Sequence, residues 1–210
     1  AAHSAVNFIL KAQNSEGGWR YKANTNESDT SVYVWEMMAL KSATMAGISV
    51  DSAKVELARK WLDTVTEGGR DPAFLGQFAY QRGTPPTASM SAAALLIVQY
   101  TGAAKNDPVI VGGLKYLTAN PPSVEDRDTY YWYYATQVFH NVAGPEWDAW
   151  NRQMRRILIE TQVRTGCATG SWDPDKPSGD RWGPYGGRLM MTSLSALTLE
   201  IYYRYLPLYK

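Results

Sequence analysis

Several residue types and patterns are scarce in this sequence, and each of these absences excludes some classes of protein. The only cysteine, Cys167, excludes an internal disulfide and a metal cage built from cysteine alone. Basic and acidic residues almost balance, at 21 against 20, and no run of lysine or arginine stands out, which argues against a nucleic-acid partner. No apolar stretch is long enough to cross a bilayer, and no signal-peptide pattern is visible.

Helical periodicity and polar aromatic residues are what the sequence has in abundance. Fourteen tyrosines and eight tryptophans outnumber four phenylalanines. Such residues suit the wall of a wet cavity as well as a core, because each combines an apolar ring with a polar atom. Strand patterns are nearly absent, and apolar residues recur at helical spacing through most of the chain. The spacing predicts eight helices, over 2–13, 29–46, 52–66, 87–101, 107–119, 128–142, 146–163 and 189–205.

The predicted helices are of two alternating kinds. Helices 52–66 and 146–163 carry one apolar stripe opposite charged residues, which predicts half-buried outer helices. Segments 31–40 and 88–100 are apolar or small on every side, which predicts helices that are buried all round. This alternation predicts an all-α fold, a single α/α toroid or part of one, with about four antiparallel pairs of inner and outer helices over residues 1–210. The two stripes comprise Val55, Ala58, Trp61, Leu62 and Val65, and Trp150, Met154, Ile157, Leu158 and Thr161.

Similar segments end the outer helices and repeat at intervals of roughly 40 to 55 residues, a period typical of stacked helical units. The first helix begins at residue 1 without a capping residue, which predicts that the chain is part of a longer protein with other domains. The loops that lead into inner helices are mostly long, so we expect them to meet at one rim, where binding residues tend to lie. The repeated segments are 7–13, 59–65, 114–120 and 156–162, and the long loops are 14–28, 67–86, 120–127 and 164–188.

The stretch "FILKAQNSEGGW" (8–19) resembles the QW repeat of the terpenoid-cyclase and protein-prenyltransferase superfamily, with its apolar pair, glutamine, glycine and tryptophan. A second, longer copy is "ILIETQVRTGCATGSW" (157–172). Segments 28–47 and 185–209 resemble inner helices of bacterial proteins that carry prenyltransferase/squalene-oxidase repeats. The resemblance spans the whole chain and implies an α/α toroid with a central cavity.

The same resemblance implies that these glutamines and tryptophans fasten an outer helix to the loop that follows it. A helix end leaves carbonyls without partners, and a glutamine amide can donate to them. The tryptophan covers apolar surface while its ring N–H finds an acceptor. Gly17 and Gly18 are expected to supply the positive φ that ends the helix. The residues with this structural role are Gln13, Gly18, Trp19, Gln162 and Trp172.

The catalytic motifs of the superfamily are absent. The Asp-x-Asp-Asp motif of squalene-hopene-type cyclases has only partial matches, at 126–128 and 173–175. The Asp-x-Cys zinc pair of prenyltransferases is missing, because Thr165 stands two residues before Cys167, and "CATG" replaces the Cys-Gly-Glu-Gln of thioester domains. His140 and Cys167 are too few to hold zinc. We therefore predict no metal and no cofactor, with Cys167 buried and His140 inside a helix.

The strongest candidate for a binding site is the loop 170–188, which combines acidic, basic and aromatic residues with glycines and prolines. Its side chains are expected to line a polar lip, where Arg188 near an inner-helix N-terminus would favour an anion. The alternative is a self-contained loop with an internal Asp–Arg pair. The candidates are Asp180, Arg181, Trp182, Tyr185 and Arg188.

Two inner helices add further candidates. Asp29 and Asp128 each precede a threonine at a helix start, so each is either an N-cap or a ligand group. Four tyrosines and Trp132 crowd segment 128–140 and cannot all face one way. Some are expected to face the cavity, where their rings can hold a sugar, a polyene or a cation. Trp35 is expected to do the same one repeat earlier.

Three functions fit these observations. The first is a non-catalytic domain that binds a small apolar or sugar-like ligand, or a partner, at the rim of long loops. The second is a terpenoid- or prenyl-processing enzyme whose acid lies outside this sequence, and it predicts a deep apolar cavity. The third is a carbohydrate-active α/α enzyme such as a polysaccharide lyase, which predicts acidic, basic and tyrosine side chains beneath flat tryptophan faces. The sequence leaves all three open.

Overall fold

The fold of the chain is all-α, as the sequence predicts. The computed structural model describes residues 1–23, 25–66, 71, 73–204 and 208–209. Within these ranges it contains eight helices and no strand. The structure divides into two compact units, Ala1–Gly113 and Leu114–Lys210, which we call the amino-terminal and carboxy-terminal units.

Helix boundaries follow the predicted ones closely except at the last helix. Periodicity predicts a start at residue 189, whereas this helix begins at Gly183. Gly187 interrupts it with φ 57° and ψ −166°, a conformation that glycine adopts readily because it lacks a Cβ. The apolar periodicity is therefore regular only beyond this kink. The helices are α1 Ala2–Ala12, α2 Thr30–Met45, α3 Ser52–Asp63, α4 Ala88–Tyr100, α5 Pro108–Thr118, α6 Thr129–Val142, α7 Pro145–Thr161 and α8 Gly183–Arg204.

Side-chain caps fix where two of the predicted inner helices begin. Asp29 accepts a hydrogen bond from the Val32 N–H at 2.9 Å, and Asp128 accepts one from the Tyr131 N–H at 2.8 Å. Each carboxylate thereby satisfies one of the amide groups that a helix start leaves unpaired. The N-cap interpretation of both residues is confirmed.

In the amino-terminal unit, α2 packs against α4, and α1 packs against α2. Helix α4 is buried along most of its length, which confirms the prediction for 88–100. The prediction for 31–40 is wrong, because Trp35 is 45% exposed and Ala39 is also exposed. That side of α2 carries one aromatic ring among small and polar residues, which water solvates at little cost.

Helix α3 joins the same core through a single apolar stripe. Ala58, Trp61 and Leu62 are buried, and the Trp61 ring lies 4.9 Å from the Tyr33 ring of α2, centre to centre. Charged residues off the stripe, such as Arg59, stay exposed. One-sided burial is therefore confirmed for this predicted outer helix.

In the carboxy-terminal unit, α6 packs against α7 and α8, and all fourteen residues of α6 are buried. The aromatic segment 130–134 therefore lies in the core, Trp132 included. Four residues of the predicted stripe of α7 are also buried, whereas its last member, Thr161, is half-buried. Its Trp150 ring stacks on Phe139 of α6, with 4.8 Å between ring centres, so the two helices share one aromatic core.

The cysteine and one of the two histidines lie in different surroundings. Cys167 is exposed, so the prediction that it is buried is wrong: it lies in the turn after α7, beside Gly166, rather than on a packed helix face. His140 is buried in the last turn of α6, and burial lowers its pKa because an imidazolium is poorly solvated there. Across the described ranges, no group of three or more His, Cys, Asp or Glu side chains is arranged to hold a metal ion.

Candidate functional site

The end of α1 is fastened to the following loop by a glutamine and a tryptophan. Gln13 Nε2 donates to Gly17 O and to Lys54 O of α3, both at 2.9 Å. Trp19 Nε1 donates to Ile9 O at 2.8 Å. We call these contacts the amino-terminal clamp. Because Gln13 and Trp19 are both buried, their hydrogen bonds are shielded from competing water.

The end of α7 has the same arrangement, which we call the carboxy-terminal clamp. Gln162 Nε2 donates to Gly170 O at 2.9 Å, and Trp172 Nε1 donates to Leu158 O at 2.8 Å. In both clamps the tryptophan ring N–H donates to the carbonyl of the residue four positions before the glutamine. The glutamine amide donates to the carbonyl of the glycine two positions before the tryptophan. Because the two loops differ in length, this identity of contacts indicates that each cluster serves to hold a helix end.

Two details of the clamps differ from the sequence-based expectation. The tryptophan, and not the glutamine, satisfies a carbonyl in the last turns of the helix. Positive φ occurs at Gly17 (98°) and Gly170 (85°) but not at Gly18. At Gly18 a glycine is required for a steric reason instead. A Cβ there would lie 2.5 Å from the Cβ of Ser28, which is well inside the van der Waals contact distance.

A buried arginine anchors the long loop between α7 and α8. The Arg127 guanidinium donates to the carbonyls of Lys176 at 2.6 Å and Ser178 at 2.7 Å, and to that of Asp173 at 2.9 Å. Burial lowers the pKa of Arg127, and nearby carboxylates, led by Asp180, offset part of that effect. Sequence reasoning missed this residue, because carbonyl acceptors in a loop leave no pattern in the side chains.

Asp180 is a structural group and not part of an exposed lip, contrary to the prediction. It is buried, and its Oδ2 accepts from the Thr129 N–H at 3.0 Å and from the Thr129 hydroxyl at 2.5 Å. Its Oδ1 accepts from the Trp182 N–H at 2.9 Å. Three donors occupy the carboxylate, which therefore ties the long loop to the start of α6.

Other predicted residues do come together at the start of α6. Trp182 Nε1 donates to Asp128 Oδ1 at 3.1 Å, and Arg181 Nε lies 3.7 Å from Asp128 Oδ2. Arg181 also pairs with Asp126, at 3.5 Å. The ring of Tyr185 follows, with its centre 6.3 Å from that of Trp182. We call Asp126, Asp128, Arg181, Trp182 and Tyr185 the rim patch.

The rim patch presents aromatic and charged groups to solvent together. Tyr185 is 85% exposed, and Arg181 and Asp126 are exposed as well. Trp182 is half-buried because its ring packs on Tyr130, with 5.9 Å between ring centres. The indole is therefore packed against Tyr130 while part of the residue stays accessible to solvent.

Besides Asp180, three predicted site residues lie outside the rim patch. Arg188 pairs with Asp173 at 2.5 Å and donates to the Ser171 hydroxyl at 3.0 Å, so an internal Asp–Arg pair is confirmed at this position. Trp132 lies in the core of the carboxy-terminal unit. Trp35 belongs to the amino-terminal unit, on the exposed side of α2.

Two cavities belong to the amino-terminal unit. One, of about 290 Å³, lies among α2, α3 and α4 and is lined mainly by apolar side chains such as Met37, Leu40 and Ile97. The other, of about 850 Å³, lies between α3 and the start of α5 and includes charged residues such as Lys60 and Asp107. Neither contains a residue that the sequence analysis singled out for binding, so these cavities and the predicted site do not coincide.

Comparison with known proteins assigns the chain to no family. No protein-family model matches the chain, and no curated protein sequence matches it. Among the helices that the structure describes, none combines the length and apolar character needed to cross a membrane. The geometry of the clamps and of the rim patch is therefore the basis on which a function is inferred.

Proposed function

We propose that the chain is a terpenoid-cyclase- and prenyltransferase-like α/α domain that catalyses no reaction as it stands and binds a sugar-like ligand at the rim patch. The observation that carries this proposal is the aromatic pair Trp182 and Tyr185 beside the charged pair Arg181 and Asp126. Open aromatic faces next to hydrogen-bonding ions match a ligand that has C–H faces and a rim of hydroxyl groups.

The architecture that we propose for this domain is an α/α toroid, or part of one, with about four pairs of helices. The clamps support it, because they repeat the same contacts at the ends of α1 and α7, as stacked units would. Packing within each unit also supports it. Alternate helices contact one another, α2 with α4 and α6 with α8, as the inner helices of successive pairs would.

The charges of the rim patch favour a polar ligand over a purely apolar one. An apolar chain laid over Arg181 and Asp126 would remove both groups from water without new hydrogen bonds, which costs roughly 1–3 kcal/mol for each unsatisfied group. Sugar hydroxyls avoid this cost, because a hydroxyl donates to a carboxylate and accepts from a guanidinium. The aromatic rings then cover the C–H face of the same ligand.

The carboxylates near the rim patch are unsuited to acid catalysis. A catalytic acid must keep its proton near neutral pH, which requires a raised pKa. The N–H of Asp175 and the Arg188 side chain instead lower the pKa of Asp173. Asp180 is occupied by three hydrogen-bond donors. Neither residue is placed to protonate a substrate, so the proposal is of a binding domain and not of an enzyme.

Titration with oligosaccharides tests the proposal. Cello-, xylo- and chito-oligosaccharides and alginate oligomers serve as probes, with binding measured by calorimetry and saturation-transfer NMR. We expect Tyr185→Ala and Trp182→Ala each to weaken binding about tenfold, because a stacked ring contributes roughly 1–1.5 kcal/mol. Tyr203→Ala is the matched control, since Tyr203 is 81% exposed on the same helix but lies outside the rim patch.

Melting temperatures separate loss of binding from loss of fold. Tyr185→Ala and Tyr203→Ala should have the melting temperature of the wild type, because both rings are exposed. Trp182→Ala should melt slightly lower, since it loses its ring contact with Tyr130. Unchanged affinity in both patch variants, or a wild-type protein that binds none of the probes, contradicts the proposal.

A further inference from the structure

The start of α2 in the amino-terminal unit carries a carboxylate that is only half satisfied. Asp29 is 0% exposed. Its Oδ1 accepts from the Val32 N–H at 2.9 Å and from the Ser31 hydroxyl at 2.6 Å, whereas no described group donates to its buried Oδ2. A buried carboxylate oxygen without a donor is energetically unfavourable, so a hydrogen-bond donor is missing at this position among the described residues.

An arginine from the adjoining segment is also incompletely paired. Arg20 Nε lies 3.4 Å from Glu27 Oε2, while its Nη1 is buried and has no acceptor among the described residues. The Asp29 N–H donates to Trp19 O at 3.1 Å, which brings the two segments together. The same small region of the unit therefore holds one unmatched acceptor and one unmatched donor.

Two tyrosine hydroxyls complete this cluster. The hydroxyl oxygens of Tyr21 and Tyr80 lie 2.9 Å apart. Burial raises the pKa of Tyr80, the hydrogen bond with Tyr21 and the charge of Asp29 raise it further, and Arg20 lowers it, so both charges act on this hydroxyl. The Arg20 guanidinium also lies 5.7 Å from the centre of the Tyr21 ring, which is exposed and so open to a ligand.

The carboxy-terminal unit shows what satisfies a capping aspartate of this kind. Asp128 occupies the corresponding place at the start of α6, where its Oδ1 accepts from the Tyr131 N–H at 2.8 Å and from Trp182 Nε1 at 3.1 Å. Arg181 Nε lies 3.7 Å from its Oδ2. The loop of that unit thus supplies an indole and a guanidinium, whereas Asp29 Oδ2 receives no such donor.

We propose that Asp29, Arg20, Tyr21 and Tyr80 form a second binding site, the α2 niche, which takes two neighbouring hydroxyl groups of a sugar or cyclic polyol. One hydroxyl donates to Asp29 Oδ2, the adjacent oxygen accepts from Arg20 Nη1, and the Tyr21 ring packs against the C–H face of the ligand. A vicinal diol fits because it offers a donor and an acceptor on adjacent atoms. The ligand class rests on the proposed function, whereas the site consists of different residues.

Substitution of Asp29 by asparagine tests the contribution of Oδ2, the carboxylate oxygen without a donor. Asparagine caps helices as well as aspartate does, so Asp29→Asn keeps the start of α2 and replaces Oδ2 with an amide that donates instead of accepting. Arg20→Gln removes the guanidinium. Asp51→Asn is the matched control, because Asp51 caps α3 through the Ala53 N–H at 2.9 Å and lies outside the niche. Circular dichroism verifies that each variant is folded.

The titrations use myo-inositol, D-mannose and cellobiose, followed by saturation-transfer NMR and calorimetry. All are carried out in a Tyr185→Ala background, in which the rim patch is weakened as a competing site. We expect Asp29→Asn and Arg20→Gln each to weaken binding about tenfold, the loss that follows when a charged hydrogen-bonding partner is removed. Asp51→Asn should bind with the affinity of the background protein.

Two outcomes overturn the α2 niche. One is binding in the Tyr185→Ala background that is insensitive to Asp29→Asn and Arg20→Gln. The other is that no probe binds in that background. If the probes bind the wild type and are lost with Tyr185→Ala, the rim patch stands while the niche fails. Binding that is lost only with the niche variants supports the niche and contradicts the rim patch.

Discussion

The two units share the contacts that end one helix, α1 or α7, but differ in the contacts that begin another, α2 or α6. Each clamp joins a tryptophan N–H to a helix carbonyl at 2.8 Å. At the helix starts, Asp128 is covered by Trp182 and Arg181, whereas Asp29 has a buried oxygen without a described donor. Contacts that hold the scaffold are thus repeated, while contacts at the helix starts vary. The variable end is where we expect ligands to bind.

The clamps should account for the largest stability effects if this division between repeated and variable contacts is correct. Trp19 and Trp172 are both buried, so replacing either with alanine removes a large core ring together with its hydrogen bond to the helix end. We expect each variant to lose about 3–5 kcal/mol of unfolding free energy, measured by chemical denaturation. Trp35→Ala is the control, and it should lose about 1 kcal/mol or less because that ring is 45% exposed. Similar losses of unfolding free energy in all three variants would contradict the division between repeated and variable contacts.

The buried arginine of the carboxy-terminal unit should give the next largest effect. Arg127→Met leaves the carbonyls of Asp173, Lys176 and Ser178 without their donor. We expect a loss of about 2–4 kcal/mol, together with faster limited proteolysis within 173–180. Arg181→Met is the control for removing a guanidinium from the same region, since Arg181 is exposed, and it should change stability little. A stable Arg127→Met protein with an uncleaved loop would show that the arginine does not anchor it.

The two clamp glutamines allow a finer test of how closely the units match. Gln13 is buried and donates to two carbonyls, whereas Gln162 is half-buried and donates to one. We therefore expect Gln13→Ala to lose about 2 kcal/mol and Gln162→Ala about 1 kcal/mol in urea unfolding. Gln77→Ala serves as the control, because Gln77 makes one exposed hydrogen bond, to Ala73 O. A larger loss at Gln162 than at Gln13 would reverse the ranking that burial predicts.

Helix positions were predictable from the sequence because periodicity and capping residues act locally. Asp29 and Asp128 mark helix starts by side-chain chemistry alone. Burial was less predictable. Trp35 and Ala39 on α2 are apolar or small, yet they lie at the surface, because whether a helix side is covered depends on distant segments and not on its own composition. The early start of α8 was missed since a positive φ at Gly187 breaks the periodicity.

The candidate site was predictable only in part, for a similar reason. Trp182 and Tyr185 are three residues apart and lie in one patch with Arg181, their sequence neighbour. Asp180 belongs to the same stretch, but its carboxylate turns inwards to Thr129, a contact that the sequence does not reveal. The unmatched Oδ2 of Asp29 is equally hidden, because sequence shows which groups are present and not which of them lack partners.

The ion pair between Asp173 and Arg188 should give the smallest effect, and one that depends on pH. The N–H of Asp175 and then Arg188 lower the pKa of Asp173. A carboxylate whose pKa is lower in the folded than in the unfolded state stabilises the fold above the unfolded-state value, about 3.9. That contribution is lost as the pH falls through the folded-state value. Because the Arg188 and Asp173 side chains are 39% and 21% exposed, solvent screens the pair, and we expect Arg188→Gln to lose only about 0.5 kcal/mol at pH 7.

Unfolding free energies at pH 7 and pH 2 check this expectation, and the amino-terminal unit supplies a matched control. Arg82 pairs with Glu16 at 3.2 Å, but both side chains are more exposed, so Arg82→Gln should lose less than Arg188→Gln at pH 7. As the pH falls through the folded-state pKa of Asp173, the difference between Arg188→Gln and the wild type should shrink towards zero. A deficit for Arg188→Gln that is as large at pH 2 as at pH 7 would mean that Arg188 stabilises the loop through its hydrogen bond to Ser171 and not through its charge.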